Sequence, residues 1–593
     1  MPTARGGSRY SKKNQSTTAR RVVFGKTGGG GRICADPRCL STGTVVIGAP
    51  GSGKTNFLDV VARQLLHIHR GAVGIIDGMG GLYGRLVPFY ASRFRMGRLP
   101  VPVLLNPGSE WVTGFNPLRK DGDLFAQIDS VIGVILRAWG ADSSDEMPRL
   151  EKWLRVIIGT LIENNLTIAE ALLVITDAGF RKKLERGTDN PIIRAKLAEL
   201  SEYSNRDFLA QTESTENRLF RFTAYDPVGL SMGLGENVID PPALMESKGV
   251  LFANLGESAG FSKQQRVMYG SMLIKKFYEA AMQRKKGARP FYLIIDEAAM
   301  FAIPELGDAL EHCRQKGLHL IIAFQNLGQF RKANAGVLSS IMNSARTKII
   351  FRVEEFEDAL YISDNIFRDL AEANIKRHDV HLNHLLLDTP MVSVGFDESE
   401  GKSTSTGRKG SSGWVTGTTV NRGLLTSGGK DSLSEGETEV DHNTGAEGWE
   451  EGETDSVTRG RRTTMSLGTR HIPFPEFTPV EYSFEEKRRK SAEQLMALGR
   501  GECFVKLPEG QAEGVSVPPT PGILLSREDF LQLRQEFHEK CSSPKEDAQQ
   551  IILERQRALL EKTSKRRIAT DVQPSKTNDA PDSRPPKNPF SRT

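Results

Sequence analysis

The sequence predicts an α/β fold with a central, mostly parallel sheet. Apolar, β-branched runs of strand length alternate with amphipathic runs of helical length, which is typical of a parallel sheet covered by helices on both faces. A glycine-rich loop stands where one strand gives way to one helix. It reads Gly48-Ala49-Pro50-Gly51-Ser52-Gly53-Lys54-Thr55 and fits the phosphate-binding pattern G-x-x-x-x-G-K-[ST].

The segments beside this loop favour a nucleotide site. Residues 43–47 predict a buried strand, and residues 56–66 carry apolar side chains at helical spacing. The glycines let the backbone surround an anion at a helix N-terminus. In such a site Lys54 reaches the β- and γ-phosphates of ATP, and the Thr55 hydroxyl holds Mg²⁺. The alternative is a turn without a ligand, but the complete motif in this context favours nucleotide binding by a P-loop NTPase.

Length and composition indicate several globular domains. The chain has 593 residues, of which 38% are hydrophobic and 26% charged, with a net charge of only +6. Partner preference must therefore come from local basic patches. The five cysteines form neither a zinc pattern nor a disulfide framework, which predicts a reduced, cytoplasmic compartment. No apolar run approaches the roughly 20 residues of a membrane span, so we expect no transmembrane segment.

Changes in composition along the chain predict its domain organisation. The N-terminal segment carries eight Lys/Arg and no acid, which predicts a disordered arm that contacts nucleic acid or an anionic membrane, or else a solvated tail. The predicted segments are 1–32, basic arm; 33–120, first part of the nucleotide-binding domain; 121–240, inserted all-α subdomain; 241–396, second part of that domain; 397–465, low-complexity linker or surface insertion; 466–525, small α/β return segment; 526–567, C-terminal helices; and 568–593, disordered tail.

Two acids follow a buried strand and complement the loop. The run Phe291 to Ile295 is apolar and ends in Asp296 and Glu297. Asp296 is expected to hold Mg²⁺ through its water shell, and Glu297 to polarise the attacking water as a general base. Acids that merely end a strand at the surface are the alternative. The upstream loop favours the functional interpretation.

The next predicted strand adds two candidates. Gln325 ends the run Leu318 to Phe324, and ligands of open parallel sheets bind at the carboxyl edge, so its amide is a candidate sensor of the γ-phosphate. The alternative is a satisfied polar group in a loop. Arg314, between the two strands, either stays solvated or stabilises transition-state charge in the adjacent subunit.

These motifs carry a family resemblance. The loop, Asn116-Pro117-Leu118, Ile294 to Glu297, and Cys313 to Leu320 running on to Gln325 resemble the VirD4/TraG/TraD-type coupling proteins of type IV secretion, within the HerA/FtsK class of DNA motors. The similarity spans roughly residues 40–370, with a weaker match at 470–525. It implies a RecA-like P-loop NTPase fold and a homo-hexameric ATPase that moves DNA. Gln325 would be the γ-phosphate sensor and Arg314 a trans-acting arginine.

The resemblance also bears on location and partners. Coupling proteins usually begin with transmembrane helices, and this sequence shows none. A separate protein would then anchor it at the inner membrane, or it acts elsewhere in DNA transfer. We predict an ATP- and Mg²⁺-dependent, sequence-independent DNA translocase of conjugation, with a relaxase or secretion-channel proteins as partners. A HerA-like DNA helicase or translocase and a nucleotide-gated recruitment platform are the alternatives.

Overall fold

The short apolar runs form strands, and the longer amphipathic runs form helices. The computed structural model describes residues 21–97, 99–140, 147–223, 227–367, 375–405, 423–427, 430–434, 454–481 and 483–571. The chain divides into one unit of residues 1–371 and 488–593 and a second of residues 372–487.

The strands of the described chain are numbered in order. They are β1 Val22–Lys26, β2 Arg32–Ala35, β3 Thr44–Ile47, β4 Val73–Asp77, β5 Val103–Leu105, β6 Trp111–Val112, β7 Val250–Asn254, β8 Phe291–Asp296, β9 Leu318–Phe324, β10 Thr347–Ile350, β11 Ile375–Ser405, β12 Gly423–Ser427, β13 Lys430–Ser434, β14 Thr454–Glu481, β15 Glu502–Lys506, β16 Glu513–Ser516 and β17 Ser543–Pro544.

The α-helices follow the same numbering. They are α1 Pro37–Leu40, α2 Lys54–His69, α3 Gly81–Phe94, α4 Leu124–Ala138, α5 Pro148–Glu163, α6 Ala171–Thr176, α7 Ala178–Gly187, α8 Pro191–Glu202, α9 Asn205–Thr223, α10 Pro227–Gly233, α11 Pro241–Ser247, α12 Lys263–Gln283, α13 Pro304–His312, α14 Leu327–Ser344, α15 Phe356–Ile366, α16 Phe484–Met496, α17 Arg527–Cys541 and α18 Lys545–Asp571.

One large sheet organises the first unit and confirms the predicted fold class. Its strand order is β2-β1-β16-β15-β10-β3-β9-β8-β4-β7-β5. From β10 to β5 the strands are parallel, whereas β15, β16, β1 and β2 extend one edge with antiparallel pairs. The central strands are buried on both faces, as expected for a parallel sheet between helical layers.

Alternate residues of the strands build the two layers of core. Val46 and Ile294 lie with side chains of α2 and α3 on one face. Ile47 and Ile295 lie on the other, with α12, α13, α14 and the helices inserted between β5 and β7. This doubly wound arrangement places the loop after β3 at the carboxyl edge of the parallel strands.

The helices α4 to α11 make up the inserted helical region, which covers residues 124–247. Amphipathic α4 and α5 pack their apolar faces inward, with Trp153 fully buried. A capping box begins the 3₁₀ turn that leads into α6, where the side chains of Thr167 and Glu170 accept hydrogen bonds from each other's backbone amides. Asn116 begins the entry to this region, where its Oδ1 accepts from the Leu118 amide at 3.0 Å.

The predicted basic arm ends earlier than its composition indicated. Residues 22–26 and 32–35 are strands β1 and β2 of the large sheet, because the apolar Val22 and Phe24 are fully buried against its core. Residues 1–20 lie outside the described part of the chain. The predicted tail 568–593 also falls mostly there, since α18 reaches Asp571 and residues 572–593 are not described.

The second unit contains long strands where a low-complexity linker or surface insertion was predicted. Strand β11 pairs antiparallel with β14, and each extends into the predicted segment 397–465 from one side. A short pair, β12 with β13, lies between them in sequence. The other residues of that segment are outside the described chain. Among the described helices, none has both the length and the hydrophobicity that crossing a bilayer requires.

Candidate nucleotide site

The glycine-rich loop joins β3 directly to α2. Gly51 has a φ of +74° and Gly53 a φ of +120°, backbone conformations that favour glycine. Gly53 precedes the first residue of the 16-residue α2 and caps it with no side-chain hydrogen bond. No side-chain cap therefore covers the amides of the first turn of α2, and such a helix start favours a phosphate group.

Lys54 is folded onto the loop that precedes it. Its buried Nζ donates hydrogen bonds to the carbonyl oxygens of Gly48 at 2.6 Å and Ala49 at 3.2 Å. Burial lowers the pKa of Lys54, whereas the carboxylates of Glu297 and Asp296 act in the opposite direction. An ammonium group has three N–H donors, so one remains for a ligand.

Asp296 ends β8 beside a second buried acid. Parallel pairing of β4 with β8 places Asp77 opposite Asp296 in register. The pKa of Asp296 is raised to about 7, chiefly by burial and then by the charges of Asp77 and Glu297, while Lys54 opposes the shift. Asp77 has a structural role, because its carboxylate accepts hydrogen bonds from the backbone amides of Met79, Gly80 and Tyr83 at the start of α3.

Glu297 and Gln325 meet at the same edge of the sheet. Strand β9 lies between β3 and β8, so Gln325, which follows it, stands between the loop and the acids. The Gln325 Nε2 donates to Glu297 Oε1 at 2.9 Å. Glu297 has a φ of +55°, a strained conformation for a residue with a side chain, and such strain is concentrated at functional sites.

The residues at this edge fit an ATP–Mg²⁺ ligand. Within the described chain, the buried Ser52 Oγ has no hydrogen-bond partner, and it lies in the middle of the loop. Three carboxylates, Asp77, Asp296 and Glu297, crowd one edge of the sheet, with the cation of Lys54 among them. A divalent cation would offset that charge, and Thr55 and Asp296 supply the hard oxygen donors that Mg²⁺ prefers.

Arg314 lies away from the other predicted site residues of its own subunit. It begins a 3₁₀ turn, Arg314–Lys316, just before β9. Gln325 follows the same strand, whose seven residues separate the two by about 20 Å at the usual rise of a strand. The fold therefore brings together the loop, Asp296, Glu297 and Gln325, and leaves Arg314 at the opposite edge of the sheet.

Sequence reasoning missed two features of the site. Asp77 is not among the predicted site residues, although an acid followed by the Gly78-Met79-Gly80-Gly81 turn is itself a signal for a carboxylate at a helix start. The second feature is the turn Gly499-Arg500-Gly501, more than 440 residues later, which contacts the loop. The Gly501 amide donates to the Ser52 carbonyl at 2.8 Å. Two glycines around one arginine were its only local signal.

Comparison with known protein families tests the predicted resemblance. Residues 290–380 match the family model described as the TraM recognition site of TraD and TraG. The predicted resemblance to TraG/TraD-type proteins is confirmed over this segment. In this TraG/TraD-like segment lie Asp296, Glu297, Arg314 and Gln325. No curated protein matches the sequence.

The chain is also similar to several solved structures. The bacterial conjugative coupling protein TrwBdeltaN70 has 14% identity and a TM-score of 0.49, over 85% of this chain and 90% of that chain. TrwB in complex with ADP and Mg²⁺ has 13% identity and a TM-score of 0.46, over 85% and 91%. VirB4 of Thermoanaerobacter pseudethanolicus has 17% identity and a TM-score of 0.38, over 59% and 89%.

Proposed function

We propose that this chain is an ATP-hydrolysing DNA translocase of the coupling-protein type, which moves DNA or a nucleoprotein substrate during conjugative transfer. One observation carries the proposal: β3, β9 and β8 are adjacent and deliver a phosphate loop, Gln325 and the pair Asp296 and Glu297 to one sheet edge. The TraG/TraD match over residues 290–380 supports the class of motor.

Each side chain has a distinct role in this proposal. The N-terminal amides of α2 and Lys54 bind the phosphates of ATP. Glu297 accepts the proton of the attacking water, and Gln325 holds the Glu297 carboxylate in place and contacts the γ-phosphate. Mg²⁺, held by Thr55 and Asp296, would neutralise charge on the phosphate oxygens when bound.

The proposed partners follow from the similarity to TraG/TraD-type proteins. The matched family model is described as a TraM recognition site, so a relaxosome protein of that kind is a candidate partner of residues 290–380. A homo-hexamer is proposed because DNA motors of the resembled class are rings. The distance of Arg314 from its own loop fits a ring, in which an arginine at that edge would face a neighbour's nucleotide.

Steady-state ATP hydrolysis with and without DNA tests the proposal. We expect DNA to stimulate hydrolysis by the wild type, and Lys54→Ala to abolish it, because the cation that faces the β- and γ-phosphates is lost. Lys182→Ala, an exposed lysine on α7, is the matched control and should hydrolyse ATP normally. If Lys54→Ala hydrolyses ATP at the wild-type rate, this loop is not part of the mechanism. If the wild type binds nucleotide but does not hydrolyse it, a nucleotide-gated recruitment platform is favoured.

DNA binding should be independent of sequence and sensitive to salt. Residues 1–20 contain five Lys/Arg, and each phosphate contact that they make releases counterions. Deleting residues 1–20, which spares β1, should flatten the dependence of log K on log salt. An arm of shuffled sequence should restore the slope, because counterion release depends on charge rather than order. An unchanged slope after deletion would identify the arm as a solvated tail.

A further inference from the structure

The turn Gly499-Arg500-Gly501 is fixed against the phosphate loop. Besides the bond from the Gly501 amide to Ser52, the Gly501 carbonyl accepts from the Val517 amide at 2.8 Å. The Glu502 carboxylate accepts from the Gly499 amide at 2.8 Å. Hydrogen bonds therefore hold the turn at both of its ends and at the loop itself.

The approach of the two backbones is close. A Cβ on Gly53 would lie 3.1 Å from the Gly501 Cα and 3.2 Å from its amide nitrogen. Gly501 has a φ of +83°, and the Glu502 amide bonds to the Gly499 carbonyl at 3.1 Å, which closes a tight turn with Arg500 in its first central position. Arg500 is therefore adjacent in sequence to the residue that contacts the phosphate loop.

The side chain of Arg500 forms no contact that stabilises the described part of the fold. Its side chain is exposed, and within the described chain it makes no ion pair or hydrogen bond. Glu502, the nearest acid in sequence, bonds to the backbone of the turn instead. A guanidinium group on a long flexible stem, fixed at its root beside a phosphate loop, matches the bidentate recognition of phosphate for which arginine is suited.

We propose that Arg500 binds the phosphates of the nucleotide held by the loop of its own subunit. The inference rests on the proposed function, because it requires that the loop bind ATP. It gives the site a second arginine with a role distinct from that of Arg314. Arg500 acts within one subunit and strengthens binding, whereas Arg314 acts between subunits and accelerates hydrolysis.

Binding of a fluorescent N-methylanthraniloyl derivative of ATP with Mg²⁺ tests the assignment. Losing one charge-assisted contact to phosphate weakens binding about 10- to 100-fold, which is the effect expected for Arg500→Ala. Arg500→Lys, which keeps the charge, should recover part of the affinity. Arg527→Ala, an exposed arginine at the start of α17, is the matched control and should bind like the wild type. Unchanged affinity in a folded Arg500→Ala protein overturns the assignment, whereas absence of binding by the wild type contradicts the proposed function itself.

A mixing experiment separates the two arginines. Combining Arg500→Ala subunits with Lys54→Ala subunits should give no more ATP hydrolysis than the sum of the separate proteins at limiting ATP. No subunit of that mixture has both an intact loop and its own Arg500. Recovery of activity in this mixture would show that Arg500 serves a neighbour's nucleotide and would overturn the proposal.

Discussion

The amide of Gln325 donates a hydrogen bond to the carboxylate of Glu297 at 2.9 Å, across two adjacent parallel strands. The bond joins the proposed γ-phosphate sensor to the proposed general base. It also holds one carboxylate oxygen of Glu297, which leaves the other oxygen for water. In the proposed mechanism, this contact links nucleotide binding to the activation of water.

Replacing Glu297 should separate ATP binding from turnover. Glu297→Gln keeps the shape of the side chain but cannot accept a proton, so we expect near-normal ATP affinity and a fall in kcat of about 10²–10⁴-fold. Single-turnover hydrolysis with fluorescent nucleotide binding measures both. A variant that fails to bind ATP would indicate a structural role for Glu297.

Gln325→Ala should reduce hydrolysis through the same contact. Because the two side chains touch, the effects of Gln325→Ala and Glu297→Gln should not add, and the double variant should be little worse than Glu297→Gln alone. The kcat values of the four proteins in this cycle give the coupling directly. Additive losses would mean that the two residues act independently.

Asp296 should make the stability of the nucleotide-free protein depend on pH. Its folded pKa of about 7 lies above its ordinary value, so ionisation destabilises the fold progressively as pH rises between those values. Asp296→Asn removes this effect. As pH rises towards 7, the free energy of unfolding of Asp296→Asn should exceed that of the wild type by an amount that grows by up to about 1.4 kcal/mol per pH unit, and above pH 7 the difference should level off.

Urea melts from pH 5 to pH 8, without Mg²⁺ or nucleotide, measure that advantage. Asp547→Asn, an exposed carboxylate on α18, serves as the control and should show no such trend. A constant difference between Asp296→Asn and the wild type across this range would contradict the raised pKa.

Arg314→Ala should bind ATP normally but hydrolyse it poorly. An arginine supplied by a neighbouring subunit can contribute about 10³–10⁵ in rate, and Arg314 is too far from its own loop to act there. Mixing Arg314→Ala with Lys54→Ala should restore hydrolysis above the sum of the parts, because some interfaces then join an intact loop to an intact arginine. No recovery in rings that demonstrably exchange subunits would contradict the role in trans.

Arg555 should stabilise the docking of α18 on the helical insertion. It donates to the fully buried Glu170 at 2.8 Å and to the Thr167 hydroxyl at 2.9 Å. Arg555→Ala leaves a buried carboxylate without its cation, which costs about 2–3 kcal/mol for a partly exposed arginine. Thermal melts should show a lower Tm than for Arg557→Ala, an exposed arginine on the same helix. Equal melting temperatures would show that the ion pair contributes nothing.

Local patterns predicted most of the individual elements. Strand β3, the loop and α2 follow from periodicity and from the glycines, since these depend on residues close in sequence. The arm was the main exception: its basic composition concealed Val22 and Phe24, which β1 buries. Composition averaged over 32 residues cannot reveal a five-residue strand.

The sequence by itself determined which side chains are candidates for phosphate and acid–base chemistry, because Lys54, Thr55, Asp296 and Glu297 stand in local motifs. Only the tertiary structure decided how they meet. Strand β9 comes after β8 in the chain but lies between β8 and β3, and Gly501 returns to contact Ser52. Strand order and such long-range contacts depend on how the whole sheet packs. The backbone and periodicity preferences of neighbouring residues do not specify that packing.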